Sequence, residues 1–233
     1  MKHSVFTRVA AVSLVATGLV LCVPARADVV YNNSTGDLNV RFNPGAAEVG
    51  DEITLGGAAR TVTNFTFQYW GANFSGDNNE QARIRFYANN GTNAPAGPTV
   101  FVPNSLLFDS GWFTLGQDVS LTHHTLIFDQ TELGGGVAVP DSFTWSVQFQ
   151  GVAGGESAGV DLFNPPTVGG NFNEYWDNAG SFDWQYRSIL IDSTNGPANF
   201  GARVEAVPEP TALWLGLAGG LAALALRFRS SRR

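Results

Sequence analysis

Alternating apolar and polar residues dominate the middle of the chain. Residues 65–69, 82–87 and 143–149 each place an apolar side chain at every second position, and 143–149 does so without interruption. A period of two is typical of β-strands with one buried face, because successive side chains point to opposite sides of a sheet. The same reasoning predicts further strands at 38–42, 106–113, 125–128, 159–163, 185–191 and 202–206.

Turn-forming residues separate these segments. Asn90-Gly91, the glycines at 134–136 and Pro165-Pro166 are typical of turns and loops. Between residues 28 and 206, no window of 12 residues repeats its apolar positions with the period of 3.6 that an amphipathic helix needs. The pattern predicts an all-β domain, a two-sheet β-sandwich of jelly-roll type, with a barrel as the alternative.

Both ends of the chain are apolar, unlike the middle. At the N-terminus, Lys2 and Arg8 precede an uncharged run over residues 9–23. This run of 15 residues is shorter than the ~20 residues of a membrane span. Ala25 and Ala27 supply the small side chains of a signal-peptidase site. The sequence therefore predicts a secretory signal helix at 1–27 that is removed, leaving Asp28 as the first mature residue.

A second uncharged segment lies at 211–226, near the C-terminus. Its 16 residues would form a helix about 24 Å long, and flanking residues can bridge the rest of a ~30 Å hydrocarbon core. A basic end, 227–233, follows and begins with Arg227 and Arg229. Positive charge marks the cytoplasmic side of a membrane helix. We expect a transmembrane helix that stops at these arginines.

The tripeptide Pro208-Glu209-Pro210 stands directly before this helix. The order of tripeptide, short apolar helix and arginine-rich end resembles the PEP-CTERM sorting tail of exported Gram-negative proteins, and it covers residues 207–233. The resemblance implies that an exosortase, a membrane-embedded cysteine transpeptidase common in bacteria that make exopolysaccharide, recognises Pro208, Glu209 and Pro210. It also implies that Arg227 and Arg229 are the membrane stop.

Charge limits the partners of the region 28–206. This region contains six arginines, no lysine and 19 acidic residues, a net charge of −13 with histidine neutral. So negative a surface repels phosphate backbones, which argues against nucleic acid as a partner and suits cations or neutral polymers. The region also lacks cysteine, so its stability must come from burial of a core rather than from disulfides.

Aromatic residues are concentrated between 172 and 186. Tyr175, Trp176 and Trp184 alternate there with amide and carboxylate side chains. Aromatic faces beside hydrogen-bonding groups are typical of carbohydrate-binding surfaces. The alternative is that Trp176 and Trp184 close one end of the β-domain as part of its core, in keeping with the usual burial of tryptophan.

Two further chemistries rest on carboxylates. Asp77 and Glu80 offer oxygen ligands for calcium, although an Asx turn accounts for the same loop. A glycoside hydrolase would need a pair of carboxylates at a defined separation, which could be drawn from the acidic residues Glu156, Glu174, Asp177 and Asp183. Sequence gives no distances between them.

Together these features predict an exported, non-enzymatic protein of the cell envelope. It has no cofactor unless calcium binds. It passes through an inner-membrane-anchored form before it reaches the envelope, the surface or the extracellular matrix, and the tail resemblance implies an association with exopolysaccharide. The alternatives are a carbohydrate- or calcium-binding β-sandwich module and a hydrolase that modifies the matrix.

Overall fold

A computed structural model gives the fold of the central region. The residues it describes are 26–75, 77–92, 101–116, 122–152, 154–178, 184–187, 190–192, 196–197 and 199–209. Within these ranges every regular element is a β-strand, so the all-β prediction is confirmed. The predicted helices at 1–27 and 211–226 lie outside the described residues.

Most strands belong to two antiparallel sheets. The first sheet contains, in chain order, β1 (Asp28–Asn33), β2 (Asp37–Phe42), β4 (Thr61–Ala72), β8 (Thr122–Phe128), β9 (Val137–Ala138), β11 (Ser157–Phe163), β16 (Asn199–Phe200) and β17 (Ala202–Val207). The second contains β3 (Glu48–Thr54), β5 (Gln81–Gly91), β6 (Val102–Asp109), β7 (Phe113–Thr114), β10 (Ser142–Gln150), β12 (Gly170–Asn178) and β13 (Trp184–Arg187). A separate ribbon pairs β14 (Leu190–Asp192) with β15 (Gly196–Pro197).

The two large sheets face each other across an aromatic core. Phe65 of β4 packs edge-on against Phe86 of β5 and against Trp145 of β10, with ring centroids 4.9 and 5.2 Å apart. All three side chains are fully buried. All three belong to the alternating apolar positions of the sequence. The period-two pattern therefore predicts the inner faces of β4, β5 and β10 correctly.

The opposite face of β10 is also buried, which the alternation does not predict. Thr144 and Ser146 have no exposed surface, although they point away from the aromatic core. Strand β10 is central, between β3 and β5, and longer side chains from both neighbours cover it. Ser146 Oγ donates a hydrogen bond to Glu48 Oε1 at 2.6 Å, and Thr144 Oγ1 bonds the Asn89 amide oxygen at 2.8 Å.

Two of the predicted strands are divided. The segment 106–113 breaks between β6 and β7 around Gly111, whose φ of 66° requires a left-handed backbone. The segment 185–191 falls into β13 and β14, which belong to different sheets.

The first and last strands of the described region pair with each other. β1 and β17 run antiparallel, and Asp28 lies opposite Ala206. On its other side β17 pairs with β4, so the last strand is an interior strand of the first sheet. Both chain ends of the folded region therefore emerge at the same end of one strand pair.

Candidate functional site

The predicted sorting tripeptide begins where β17 ends. Val207 is the last residue of the strand, and Pro208 and Glu209 follow it outside any strand, both exposed. Proline cannot donate a backbone hydrogen bond, so strand pairing cannot continue regularly past Val207. Pro210, the predicted helix 211–226 and the predicted membrane stop at Arg227 and Arg229 lie outside the described residues. Among the described residues, no helix has the length and hydrophobicity to cross a membrane.

The three candidate glycan-binding aromatics do not share a face. Tyr175 points into the core between the sheets, where its ring lies 5.1 Å from that of Phe42 and 5.9 Å from that of Phe200. Trp176 and Trp184 lie on the other face of the second sheet. The structure therefore does not assemble Tyr175, Trp176 and Trp184 into one surface.

Trp176 and Trp184 are core residues of a small cluster with Tyr87, which we call the outer aromatic cluster. Their exposed fractions are 0 %, 4 % and 1 %. Tyr87 meets Trp184 edge-on at 5.4 Å between ring centroids. Rings this buried present no face to a ligand. They are core residues, as in the sequence alternative, but they pack on the outer face of the second sheet and are not shown to close an end of the domain.

A buried polar network adjoins the outer aromatic cluster. Its centre is Glu48, whose carboxylate accepts hydrogen bonds from Arg85 at 2.6 Å, from Ser146 at 2.6 Å and from the Tyr87 hydroxyl at 3.1 Å. Burial, and next the charge of Glu48, raise the pKa of Tyr87. Arg85 also lies 3.4 Å from Asp109. Both Glu48 oxygens have partners, so the network stabilises the sheet rather than presenting a reactive group.

The two candidate calcium ligands have separate roles in the loop that carries them. Asp77 Oδ1 accepts the backbone N–H of Asn79 at 3.1 Å, which is an Asx turn. Glu80 is fully buried, and its Oε1 accepts the backbone N–H of Ser75 at 3.2 Å. In the part of the chain that the structure describes, no group of three or more His, Cys, Asp or Glu is arranged to hold a metal ion.

The carboxylates considered for hydrolysis are dispersed. Glu156 Oε1 accepts the same Ser75 N–H as Glu80, at 2.7 Å. Glu174 accepts the Tyr186 hydroxyl at 2.8 Å, and Asp177 lies 3.8 Å from Arg187. Asp183 lies outside the described residues. Glu156 is in the first sheet's turn region, whereas Glu174 and Asp177 lie on β12 of the second sheet.

Sequence reasoning missed a cleft on the first sheet, which we call the β2–β11 cleft. It encloses about 330 Å³ and is lined by Asp37, Asn39, Arg41, His123 and Asp161. Asp161 is only 3 % exposed, and burial raises its pKa against the opposing charge of Arg41. A signal was present in the sequence, since Asp161 is a charged residue in the middle of the predicted strand 159–163.

Another buried carboxylate, Asp51, lies between the sheets. Its Oδ2 accepts the backbone N–H of Phe200 at 3.1 Å, and its Oδ1 has no hydrogen-bond partner among the described residues. Burial raises its pKa well above the usual range of an aspartate, and the Phe200 N–H opposes that shift. The site is enclosed by both sheets, so it bears on stability rather than on contact with a ligand.

Comparison with known proteins identifies no relative. A scan against protein-family models, a search of curated proteins and a search of solved structures each give no match.

Proposed function

We propose that this chain is an exported, non-enzymatic protein of the cell envelope, sorted by a PEP-CTERM-like tail. Its functional domain, residues 28–206, is a β-sandwich of jelly-roll type between a removable signal helix and a transmembrane helix at 211–226. The observation that carries the proposal is the pairing of Asp28 with Ala206, with exposed Pro208 and Glu209 directly beyond.

This pairing means that processing at either end leaves the domain intact. Asp28 is the first residue of β1, so removal of residues 1–27 leaves β1 complete. Val207 is the last residue of β17, so a cut at the tripeptide also leaves every backbone hydrogen bond of that strand in place. An exposed, non-strand segment is what a processing enzyme needs to reach a peptide bond.

The proposed partners follow from the tail and from the charge. The exosortase-type transpeptidase would recognise Pro208, Glu209 and Pro210, while the helix at 211–226 holds the intermediate in the inner membrane until processing. A domain with a net charge of −13 suits an association with neutral polysaccharide better than with nucleic acid.

A carbohydrate-binding module is the second candidate function. The β2–β11 cleft favours it, because carboxylate, amide, guanidinium and imidazole groups converge there and such groups bind sugar hydroxyls. Trp176 and Trp184 do not support carbohydrate binding, because both side chains are buried.

The test is replacement of Pro208, Glu209 and Pro210 by alanine in the native host. We expect normal export but an unprocessed, larger product in the inner membrane, because translocation depends on the N-terminal signal and release depends on the tripeptide. Substituting Ser230 and Ser231 by alanine changes the tail beyond Arg227 and Arg229 and is the matched control. Fractionation with mass measurement reads the result. Equal mass and location of wild type and variant, with exosortase present, would refute the sorting proposal.

A further inference from the structure

The β2–β11 cleft lies on the face of the first sheet that points away from the aromatic core. Strands β2 and β11 pair there, and Arg41 lies opposite Asp161 in their register. The apolar residues Leu38, Val40 and Phe42 of β2 pack on the core instead. Asp37, Asn39 and Arg41 are exposed, whereas the residues that alternate with them are half-buried. His123, from β8, completes the lining.

Asp161 forms the buried floor of this cleft. Its side chain is 4 % exposed, and Oδ1 lies 3.5 Å from Arg41 Nε. Its other oxygen, Oδ2, is buried and finds no hydrogen-bond partner within the described residues. A buried polar atom of this kind is costly unless a partner satisfies it, so the Asp161 carboxylate, which lines the cleft, is the group that a ligand hydroxyl would stabilise.

The rim residues are held in place and accessible. Asp37 Oδ1 accepts the backbone N–H of Asn39 at 2.8 Å, and this turn fixes Asn39 with a φ of 55°. His123 Nδ1 lies 4.0 Å from Asp37 Oδ2, and the His123 side chain is 49 % exposed. The rim therefore presents a carboxylate, an amide and an imidazole to solvent.

A second unsatisfied polar atom lies on the same face of the sheet. Trp70 is opposite His123 in the pairing of β4 with β8, and its indole crosses Gly159, two residues before Asp161. A Cβ on Gly159 would lie 2.8 Å from Trp70 Nε1. That nitrogen is buried and has no hydrogen-bond partner in the described ranges. The absence of a side chain at Gly159 lets the indole approach this part of β11 closely.

The mixture of charges in the lining disfavours two classes of ligand, anions and free cations. Two carboxylates and the overall negative charge disfavour an anion. A free cation would meet the carboxylates but also the guanidinium of Arg41, which already neutralises Asp161. A neutral ligand with many hydroxyls matches the whole lining, because each hydroxyl both donates to carboxylate oxygens and accepts from guanidinium, amide or imidazole N–H groups.

We propose that the β2–β11 cleft binds uncharged sugar residues of an extracellular polysaccharide, with Asp161 at its floor and Arg41, His123, Asp37 and Asn39 at its rim. The inference deepens the second candidate function and rests on the proposed export of the domain. A volume of about 330 Å³ is at the small end of ligand pockets, ~300–1,000 Å³. The cleft therefore suits one or two sugar rings within a longer chain.

The test uses the chain as purified from its host in detergent and a glycan array that carries neutral hexose oligosaccharides, uronic-acid oligosaccharides and glucosamine oligomers. We expect binding to neutral hexose oligosaccharides. Asp161→Asn should weaken it about tenfold, the usual effect of losing a charge-assisted hydrogen bond. His123→Ala should weaken it less, and because that side chain is half exposed, the variant tests the cleft even if Asp161→Asn fails to fold.

The matched control is Asp141→Asn, which neutralises a carboxylate that is 84 % exposed and lies outside the cleft; its binding should equal that of wild type. The proposal is overturned if no neutral glycan binds, if only charged glycans bind, or if binding survives both cleft substitutions unchanged. Tail processing is read separately from the mass of the same purified chain, so a failure of the sorting proposal and a failure of the cleft proposal are distinguishable.

Discussion

Asp51 Oδ2 accepts the backbone N–H of Phe200 at 3.1 Å and so joins the second sheet to the first. Neither Asp51 nor Phe200 has exposed surface. Nearby, the Tyr31 hydroxyl and an oxygen of Asn33 are also buried without a hydrogen-bond partner in the described part of the chain. A charged Asp51 in this setting would be costly, so the neutral acid is the form that the fold favours.

Replacing Asp51 with asparagine should therefore stabilise the protein increasingly as the pH rises. Burial raises the pKa of Asp51 in the folded state, with a smaller contribution in the same direction from Glu52. Above pH ~4 the unfolded chain loses this proton while the native state keeps it. The contribution of Asp51 to the wild-type free energy of unfolding then falls by about 1.4 kcal/mol per pH unit until the folded pKa is reached. In Asp51→Asn the free energy of unfolding does not fall for this reason, because asparagine has no proton to lose in this pH range.

Urea denaturation of the mature chain between pH 4 and pH 8 measures the difference. Asp141→Asn, at an exposed position, should follow the wild-type pH dependence and serves as the control. A variant Asp51→Asn that becomes less stable than wild type as the pH rises would mean that Asp51 is ionised and compensated in the folded protein.

Arg85→Ala should destabilise the protein strongly. Arg85 is 14 % exposed, and its guanidinium lies 2.6 Å from Glu48, which is 4 % exposed. Removing one partner of a buried ion pair leaves an uncompensated charge and typically costs ~3–5 kcal/mol. Adding Glu48→Gln should recover part of this loss, because it removes the stranded charge. Equal stability of the single and double variants would show that charge burial is not the cause.

Trp176→Ala should lower stability without affecting binding at the β2–β11 cleft. Trp176 is fully buried beside Tyr186 at 4.9 Å between ring centroids, and such truncations cost ~3–5 kcal/mol. Phe172→Ala, on the same strand but 41 % exposed, should cost far less. Thermal melts compare the two. If Trp176→Ala is folded and stable but no longer binds glycans, the aromatic residues rather than the β2–β11 cleft form the carbohydrate site.

Gly159→Ala should also be destabilising. A Cβ at this position would collide with the carbonyl oxygen of Phe42 on β2, a backbone atom that cannot rotate away. Overpacking of this kind costs ~1–3 kcal/mol. At Gly116 a Cβ would meet no described atom within 4 Å, so Gly116→Ala is the matched control. The shift in the urea midpoint should be large for Gly159→Ala and close to zero for Gly116→Ala; similar midpoints would contradict the predicted clash.

The strands with simple alternation could be predicted from the sequence, and those with mixed patterns could not. Strand β10 alternates throughout, whereas β3 carries Glu48, Asp51 and Glu52 among few apolar residues and shows no such period. Asp51 faces the core and Glu48 faces the opposite side, yet both are buried. Local sequence does not reveal the burial of Glu48 and Asp51, because their hydrogen-bond partners lie more than 30 positions away in the chain.

By itself, the sequence determined the all-β class, since a period of two residues follows from backbone geometry alone. It also supplied the predictions for both chain ends, which rest on local apolar runs. Tertiary structure decided which polar residues share a site. Asp37, His123 and Asp161 lie far apart in the chain, and the pairing of β2 with β11 and of β4 with β8 sets where they meet. Tertiary structure also decides the burial of Trp176 and Trp184, because they pack with Tyr87 of the distant strand β5 on the outer face of the second sheet.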